Sequence, residues 1–349
     1  MKLTRRAALP IATGLGLALV SLPVAAQEDV LNLYSARHYQ TDEALYTNFT
    51  KATGIKINRV DTDDAGLLAR LKTEGAASPA DVILLVDAAR LAQAERDGLF
   101  RPFKSAALEA AIPAQYRAEA GPNGTAWWGF STRARMIVFN KASLSRADVA
   151  RYEDLADPKL KGKVCTRSGS HPYNLSLFGA LNEHWGSAAL QTWLQGVVNN
   201  MARAPKGGDT DQIRAVASGE CQVALTNSYY WARLVLSSKP EDQAVVEKVG
   251  AVMPNQASFG THMNIAGGAM ARHARNPAAA QRFLEYLASP QAQAYFANGN
   301  NEWPTVAGAP MNNAALQPFG SFKRETIPVA AVAKNTVKVQ QMLDQAGFK

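Results

Sequence analysis

Between Val30 and Gly98 the chain alternates a short apolar run with a helix-like stretch three times, and this rhythm restricts the fold more than any other feature. "VLNLYSA" is followed by "TDEALYTNFTKATG", in which Thr41 or Asp42 can cap a helix, Leu45 and Phe49 share a face, and Gly54 stops it. "IKINRVD" leads into "DDAGLLARLKTEG", capped by Asp63 or Asp64 and stopped at Gly75. "ADVILLVD" leads into "AARLAQAERDG", which closes at Gly98. The third apolar run is nearly continuous, as expected of a strand buried on both faces of a parallel sheet. Three successive βα units predict an open, parallel α/β sheet.

"GPNGTAWWGFSTRARMIVFN" breaks the rhythm with a turn-rich, then aromatic, stretch and a strand ending at Asn140. We read it as the first crossing into a second lobe. There "GKVCTRS" predicts a strand, "PYNLSLFGALNEHWG" a helix with Pro172 in its first turn, "DTDQIRAVASG" another helix and "CQVALTNS" another strand. "AVMPNQASFGTHMNIAGGAM" predicts the crossing back, "PAAAQRFLEYLASPQAQAYFANG" a helix pair, and the tail from Pro328 a final helix. The expected architecture is α/β and two-lobed. Each lobe is an open, mostly parallel sheet flanked by helices, with hinge strands between. The expected boundaries are residues 27–130 plus about 262–310 for the first lobe, and 131–261 plus about 311–349 for the second.

The first 26 residues follow a different logic. Lys2, Arg5 and Arg6 precede the apolar "IATGLGLALVSL", and "PVAA" offers Val24 and Ala26 at a small-residue cleavage site. This predicts an export signal cut after Ala26, with "TRRAAL" compatible with the twin-arginine route, and hence a periplasmic protein. Without Lys2, Arg5 and Arg6 the formal charge falls from +8 to +5, 34 basic residues against 29 acidic. The charges are interspersed, which argues against nucleic acid and suits an anionic ligand or an acidic docking partner. In an exported chain the two cysteines, Cys165 and Cys221, read as a disulfide rather than a metal site.

In open α/β sheets ligands bind beyond the carboxyl ends of the strands. Those positions carry His38 and Tyr39 after the first strand, Tyr173 after "GKVCTRS", and Tyr229 with Tyr230 after "CQVALT". Tyr34, Tyr46, Tyr116, Tyr152, Tyr286 and Tyr295 lack this placement and read as core or surface. Neighbouring side chains converge only from a turn or from the end of an element, so the Tyr229–Tyr230 pair expects such a place. Several converging phenols suit a hard, highly charged cation. Phenol has a pKa of about 10, and Fe³⁺ is charged enough to deprotonate it. Calcium would require carboxylates and carbonyls, and zinc or copper would require His and Cys. Four phenolates leave excess negative charge on a trivalent ion, so an arginine nearby is expected, with Arg37 and Arg203 as candidates.

The segments "YSARHYQTDEALYTNFTKATGIKI", "SPADVILLVDAARL", "WGFSTRARMIVFNK", "GKVCTRSGSHPYNLSL" and "NSYYWARL" resemble the ferric-iron-binding periplasmic proteins of bacterial ABC importers, in the group that uses several tyrosines. The resemblance spans essentially the whole mature chain. It implies a type II periplasmic-binding-protein fold, closure of the lobes on iron, and delivery to an ABC permease in the inner membrane by a monomer. It implies Tyr39, Tyr173, Tyr229 and Tyr230 as metal ligands, with His38 matching a histidine that ligates in some relatives and stands aside in others. The chain departs from many relatives at His171 and Leu175, and His171 is expected to cap or face solvent. Some relatives bind carbonate or phosphate beside the iron; Ser168, Gly169, Ser170 and Asn227 are the residues able to cradle such an anion here. Asp87 ends a first-lobe strand and reads as a helix cap, with metal ligation as the alternative.

Two rival readings remain. The same fold can carry an organic cation or oxyanion, with the tyrosines as a stacking box. A periplasmic hydrolase would use Ser170, His171 or His184, but no G-x-S-x-G elbow surrounds a serine and "GSHPY" lacks a recognisable acid partner. His262 and His273 stand alone in sequence.

Overall fold

The computed structural model describes residues 30–37 and 42–349. The export-signal segment, His38 and Tyr39 lie outside the described residues. In chain order the elements are β1 (Val30–Ser35), α1 (Asp42–Thr53), β2 (Lys56–Asp61), α2 (Asp64–Glu74), β3 (Val82–Leu85), α3 (Ala88–Arg96), α4 (Ala106–Ala111), β4 (Trp128–Asn140), β5 (Val164–Cys165), α5 (Pro172–Trp185), α6 (Ser187–Asn200), α7 (Asp209–Ser218), β6 (Val223–Asn227), α8 (Ser228–Leu236), α9 (Pro240–Lys248), β7 (Val249–Val252), β8 (Met263–Met270), α10 (Pro277–Leu287), α11 (Pro290–Asn298), β9 (Trp303–Pro304), α12 (Val329–Lys334) and α13 (Thr336–Ala346).

The expected βα units are present, and local chemistry explains their ends. Asp63 caps α2 by accepting the Gly66 N–H at 2.9 Å, and Asp87 caps α3 by accepting the Ala89 N–H at 2.7 Å. Helix α7 stops at Gly219, whose φ of 83° puts it in the left-handed region open to glycine. All four residues of β3 are buried, because helices cover both of its faces. The "GKVCTRS" strand is shorter than the sequence suggests, only Val164 and Cys165.

The strand order is β2-β1-β3-β8-β4-β6-β5, with β7 and β9 also paired to β4. Strands β1, β2 and β3 run parallel, as do β5 and β6. Between these two groups, β4 and β8 run antiparallel. Strand β4 is 13 residues long and serves two sheets. Trp128–Ala134 pair with β8, and from Arg135 onward the strand pairs with β6 and β7. This long strand and its partner β8 are the hinge between the lobes.

One apolar core packs β1–β3 against α1–α3, α10 and α11. Two more lie on either side of the second sheet, one under α5, α6 and α13, the other under α7 and α8. Cys165 and Cys221 are joined by a disulfide, with their Cα atoms 5.8 Å apart. Cys165 ends β5 and Cys221 stands two residues before β6, so the bridge ties together the two strands that lead to the tyrosine-bearing helices.

Candidate metal centre

Three of the tyrosines expected at strand ends stand in the first turns of two helices. Tyr173 is the second residue of α5, and Tyr229 and Tyr230 are the second and third of α8. A helix start is one of the few places where adjacent side chains can serve one target. It also presents the positive end of the helix dipole, which favours an anionic oxygen. The phenol oxygens of Tyr173 and Tyr229 lie 3.0 Å apart. The Tyr229 and Tyr230 rings lie 4.2 Å apart, inclined by 32°. Tyr229 is fully buried, Tyr173 is 5% exposed and Tyr230 is half-buried.

Burial pushes the Tyr173 phenol above its ordinary pKa, and the neighbouring Tyr230 phenol pushes it further. Arg133 and the hydrogen bond with Tyr229 oppose that rise without overcoming it. This phenol is therefore neutral at neutral pH. Only a strong Lewis acid would displace its proton.

Three guanidinium groups surround the rings. The Arg133 carbon lies 5.4 Å and the Arg167 carbon 4.9 Å from the Tyr173 ring centroid. The Arg233 carbon lies 5.1 Å from the Tyr229 centroid and 5.7 Å from that of Tyr230. These arginines occupy the place for which the sequence suggested Arg37 and Arg203. Among the described residues Arg37 pairs with Asp42 and lies over Phe296, and Arg203 pairs with Glu220. Two signals for these arginines were in the sequence. Arg233 follows Tyr229 by one helical turn, so it shares that face. In "STRARMIV", Arg133 and Arg135 sit inside an otherwise apolar strand, where charges persist only if paired.

His171 is the cap of α5, its Nδ1 accepting the Tyr173 N–H at 3.3 Å. Burial and the Arg167 charge lower its pKa to about 3, so it is neutral and able to accept. Asp87 caps α3 and also accepts from Asn264 at 2.8 Å and from Ser176 at 2.7 Å. Gly169, expected in an anion cradle, gives its N–H to the Lys349 carbonyl at 2.9 Å. A Cβ there would stand 2.8 Å from the Phe348 ring, so glycine is what lets this loop rest on the C-terminal segment. Asn227 is likewise engaged, its Oδ1 with Arg135 and its N–H with Asp209. Among the described residues no group of three or more His, Cys, Asp or Glu could hold a metal ion. The donors these helices offer are phenol oxygens, the chemistry of Fe³⁺ rather than of zinc or calcium.

Residues 44–317 match the family described as bacterial extracellular solute-binding protein. The chain is 43% identical over 323 residues to Iron uptake protein A1 of Synechocystis sp., covering 93% of this chain and 88% of that protein. The structure of Trichodesmium FutA (IdiA) in complex with iron and citrate superposes with a TM-score of 0.86 at 48% identity, covering 92% of this chain and 100% of that one. The ferric binding protein of Campylobacter jejuni superposes with a TM-score of 0.85 at 36% identity, covering 91% and 100%. The fold is that of the type II periplasmic binding proteins, and the chain belongs to the bacterial extracellular solute-binding protein family.

Proposed function

We propose that this chain is a periplasmic carrier of ferric iron, which it captures between two lobes through tyrosine phenolates and hands to an ABC permease of the inner membrane. The observation that carries the reading is the convergence of Tyr173 and Tyr229 at 3.0 Å, with the Tyr230 ring against that of Tyr229, at two helix starts ringed by arginines. The relatives named for iron uptake and ferric binding support it. Tyr173, Tyr229 and Tyr230 supply three phenolates from the second lobe, and Tyr39, with or without His38, closes from the first. We take residues 27–130 with about 262–310 as the first lobe, and 131–261 with about 311–349 as the second. The protein works as a monomer, reaches the periplasm through the signal in residues 1–26, and catalyses no reaction. A carbonate beside the iron is an optional addition.

The arginines also weigh against an organic cation in a tyrosine box. Arg133, Arg167 and Arg233 all lie within 5.7 Å of a ring centroid; an organic cation leaves the phenols neutral and meets only this repulsion, whereas Fe³⁺ converts them to phenolates that offset it. Phenol-to-phenylalanine substitution tests the iron reading, because it deletes one oxygen and keeps the ring. Tyr173→Phe and Tyr229→Phe should each shift or abolish the visible phenolate-to-iron band and speed iron loss to citrate. A Tyr229→Phe/Tyr230→Phe double variant that keeps the full wild-type colour contradicts the assignment.

A further inference from the structure

Beside the tyrosines lies a group of charges centred on one buried carboxylate. Asp209, the first residue of α7, is fully buried. Its Oδ2 accepts from Arg135 Nη1 at 2.6 Å and from the Asn227 backbone N–H at 2.6 Å. Its Oδ1 accepts from Arg167 Nη1 at 3.1 Å. Asn227 is the cap residue of α8, two positions before Tyr229. Arg167 is the guanidinium that covers the Tyr173 ring at 4.9 Å.

Arg135 extends the network to the other tyrosine helix. Its Nη1 also donates to Asn227 Oδ1 at 3.2 Å, and its Nη2 donates to Asn174 Oδ1 at 2.8 Å. Asn174 directly follows Tyr173. Its amide donates back to Thr166 Oγ1, Arg167 O and Ser168 O at 3.1–3.2 Å, fixing the loop that enters α5. One carboxylate thus joins the Tyr173 segment to the cap of the Tyr229–Tyr230 helix. Burial alone would raise the Asp209 pKa. Arg135, Arg167 and the Asn227 N–H outweigh burial and hold it below the ordinary value. Burying a carboxylate and two guanidiniums is a poor way to gain stability, since apolar residues of like size often do as well or better. Such groups do fix geometry, because each bond has one direction and one partner.

We propose that Asp209 is a positioning residue for iron capture: it holds Arg167 over Tyr173 and the first turn of α8 against α5, so that the phenols converge before the metal arrives. This rests on the ferric reading above. Orienting partners of metal ligands are commonly worth about 10- to 100-fold in metal affinity.

The test compares purified Asp209→Asn, which keeps the shape and removes the charge, with Arg167→Gln, which removes the partner nearer the site. Arg214→Ala is the control: it breaks the Arg214–Asp242 pair from the same helix α7 without touching the network. Each protein is loaded with ferric citrate, its visible band is recorded, and iron transfer to excess citrate is timed. Asp209→Asn and Arg167→Gln should both move the band and speed transfer about tenfold or more, while Arg214→Ala matches wild type. A band shift reports the phenolates themselves, which a general loss of stability does not move. Wild-type band and transfer rate in either variant overturn the proposal while leaving the ferric reading intact. A colourless wild type overturns the ferric reading, and this proposal with it. If Asp209→Asn does not fold, Arg167→Gln decides alone: wild-type behaviour there overturns the proposal.

Discussion

At the scale of single residues, the placement of Tyr229 and Tyr230 was legible because adjacent aromatics after an apolar run can cooperate only where an element begins. Their partners were harder to read. Arg167 and Arg133 meet Tyr173 through tertiary contacts from a loop and from β4, and no local spacing records such contacts. The state of the phenols leads to a pH prediction. Burial and then Tyr230 raise the Tyr173 pKa, so this phenol keeps its proton near neutrality, and iron bound through it would have to expel that proton. Binding that releases protons strengthens as pH rises and weakens as pH falls, by about tenfold per pH unit for each proton released. Iron retention measured from pH 8 to pH 5 against a chelator of known protonation should fall with acid. In Tyr173→Phe the decline should be less steep. Retention that is flat with pH would mean that phenol protons are not displaced.

At the scale of elements, the helices and strands of the first lobe follow caps and stops visible in the sequence, such as Asp63 before α2 and Gly75 after it. The sequence does not show what joins the lobes. Ser176, one turn beyond Tyr173 on α5, donates to the Asp87 carboxylate that caps α3, so the tyrosine helix reaches the first-lobe side directly. A hydrogen bond to a buried carboxylate contributes about 1.5–3 kcal/mol. Ser176→Ala should therefore favour the open form, giving faster iron release with an unchanged band and a larger radius by small-angle scattering. An unchanged radius and release rate would show that this contact does not hold the lobes together. The Cys165–Cys221 bridge was readable from the export signal and the cysteine count. Its loop of 56 residues gives about 4 kcal/mol in the chain-entropy model. A Cys165→Ser/Cys221→Ser variant should lose roughly that much in urea unfolding. A loss under about 1 kcal/mol would mean the bridge adds little beyond the packing around it.

At the scale of the whole molecule, the alternating pattern specified the open α/β lobes. The hinge depends on pairings between strands far apart in the chain, such as β3 with β8 and β4 with β8, which no local pattern encodes. The C-terminal segment returns to that hinge. Glu325 lies buried between His262 and His184, with its second oxygen 3.2 Å from the His184 ring nitrogen. Burial would raise the Glu325 pKa, but His262 and His184 hold it at about 2, below its ordinary 4.5. A depressed carboxylate pKa contributes stability that is full above the unfolded value and is lost as pH falls toward the folded one. Acid unfolding should therefore steepen between about pH 4.5 and 2, and Glu325→Gln should flatten it.

If phenols at two helix starts hold ferric iron, a stoichiometric absorption titration will show it. Purified wild-type protein is titrated with ferric citrate and its visible spectrum recorded at each step. A phenolate-to-iron band should grow in proportion to added metal and stop at one iron per chain. A protein that stays colourless in excess ferric citrate, or a band that never saturates, would contradict it.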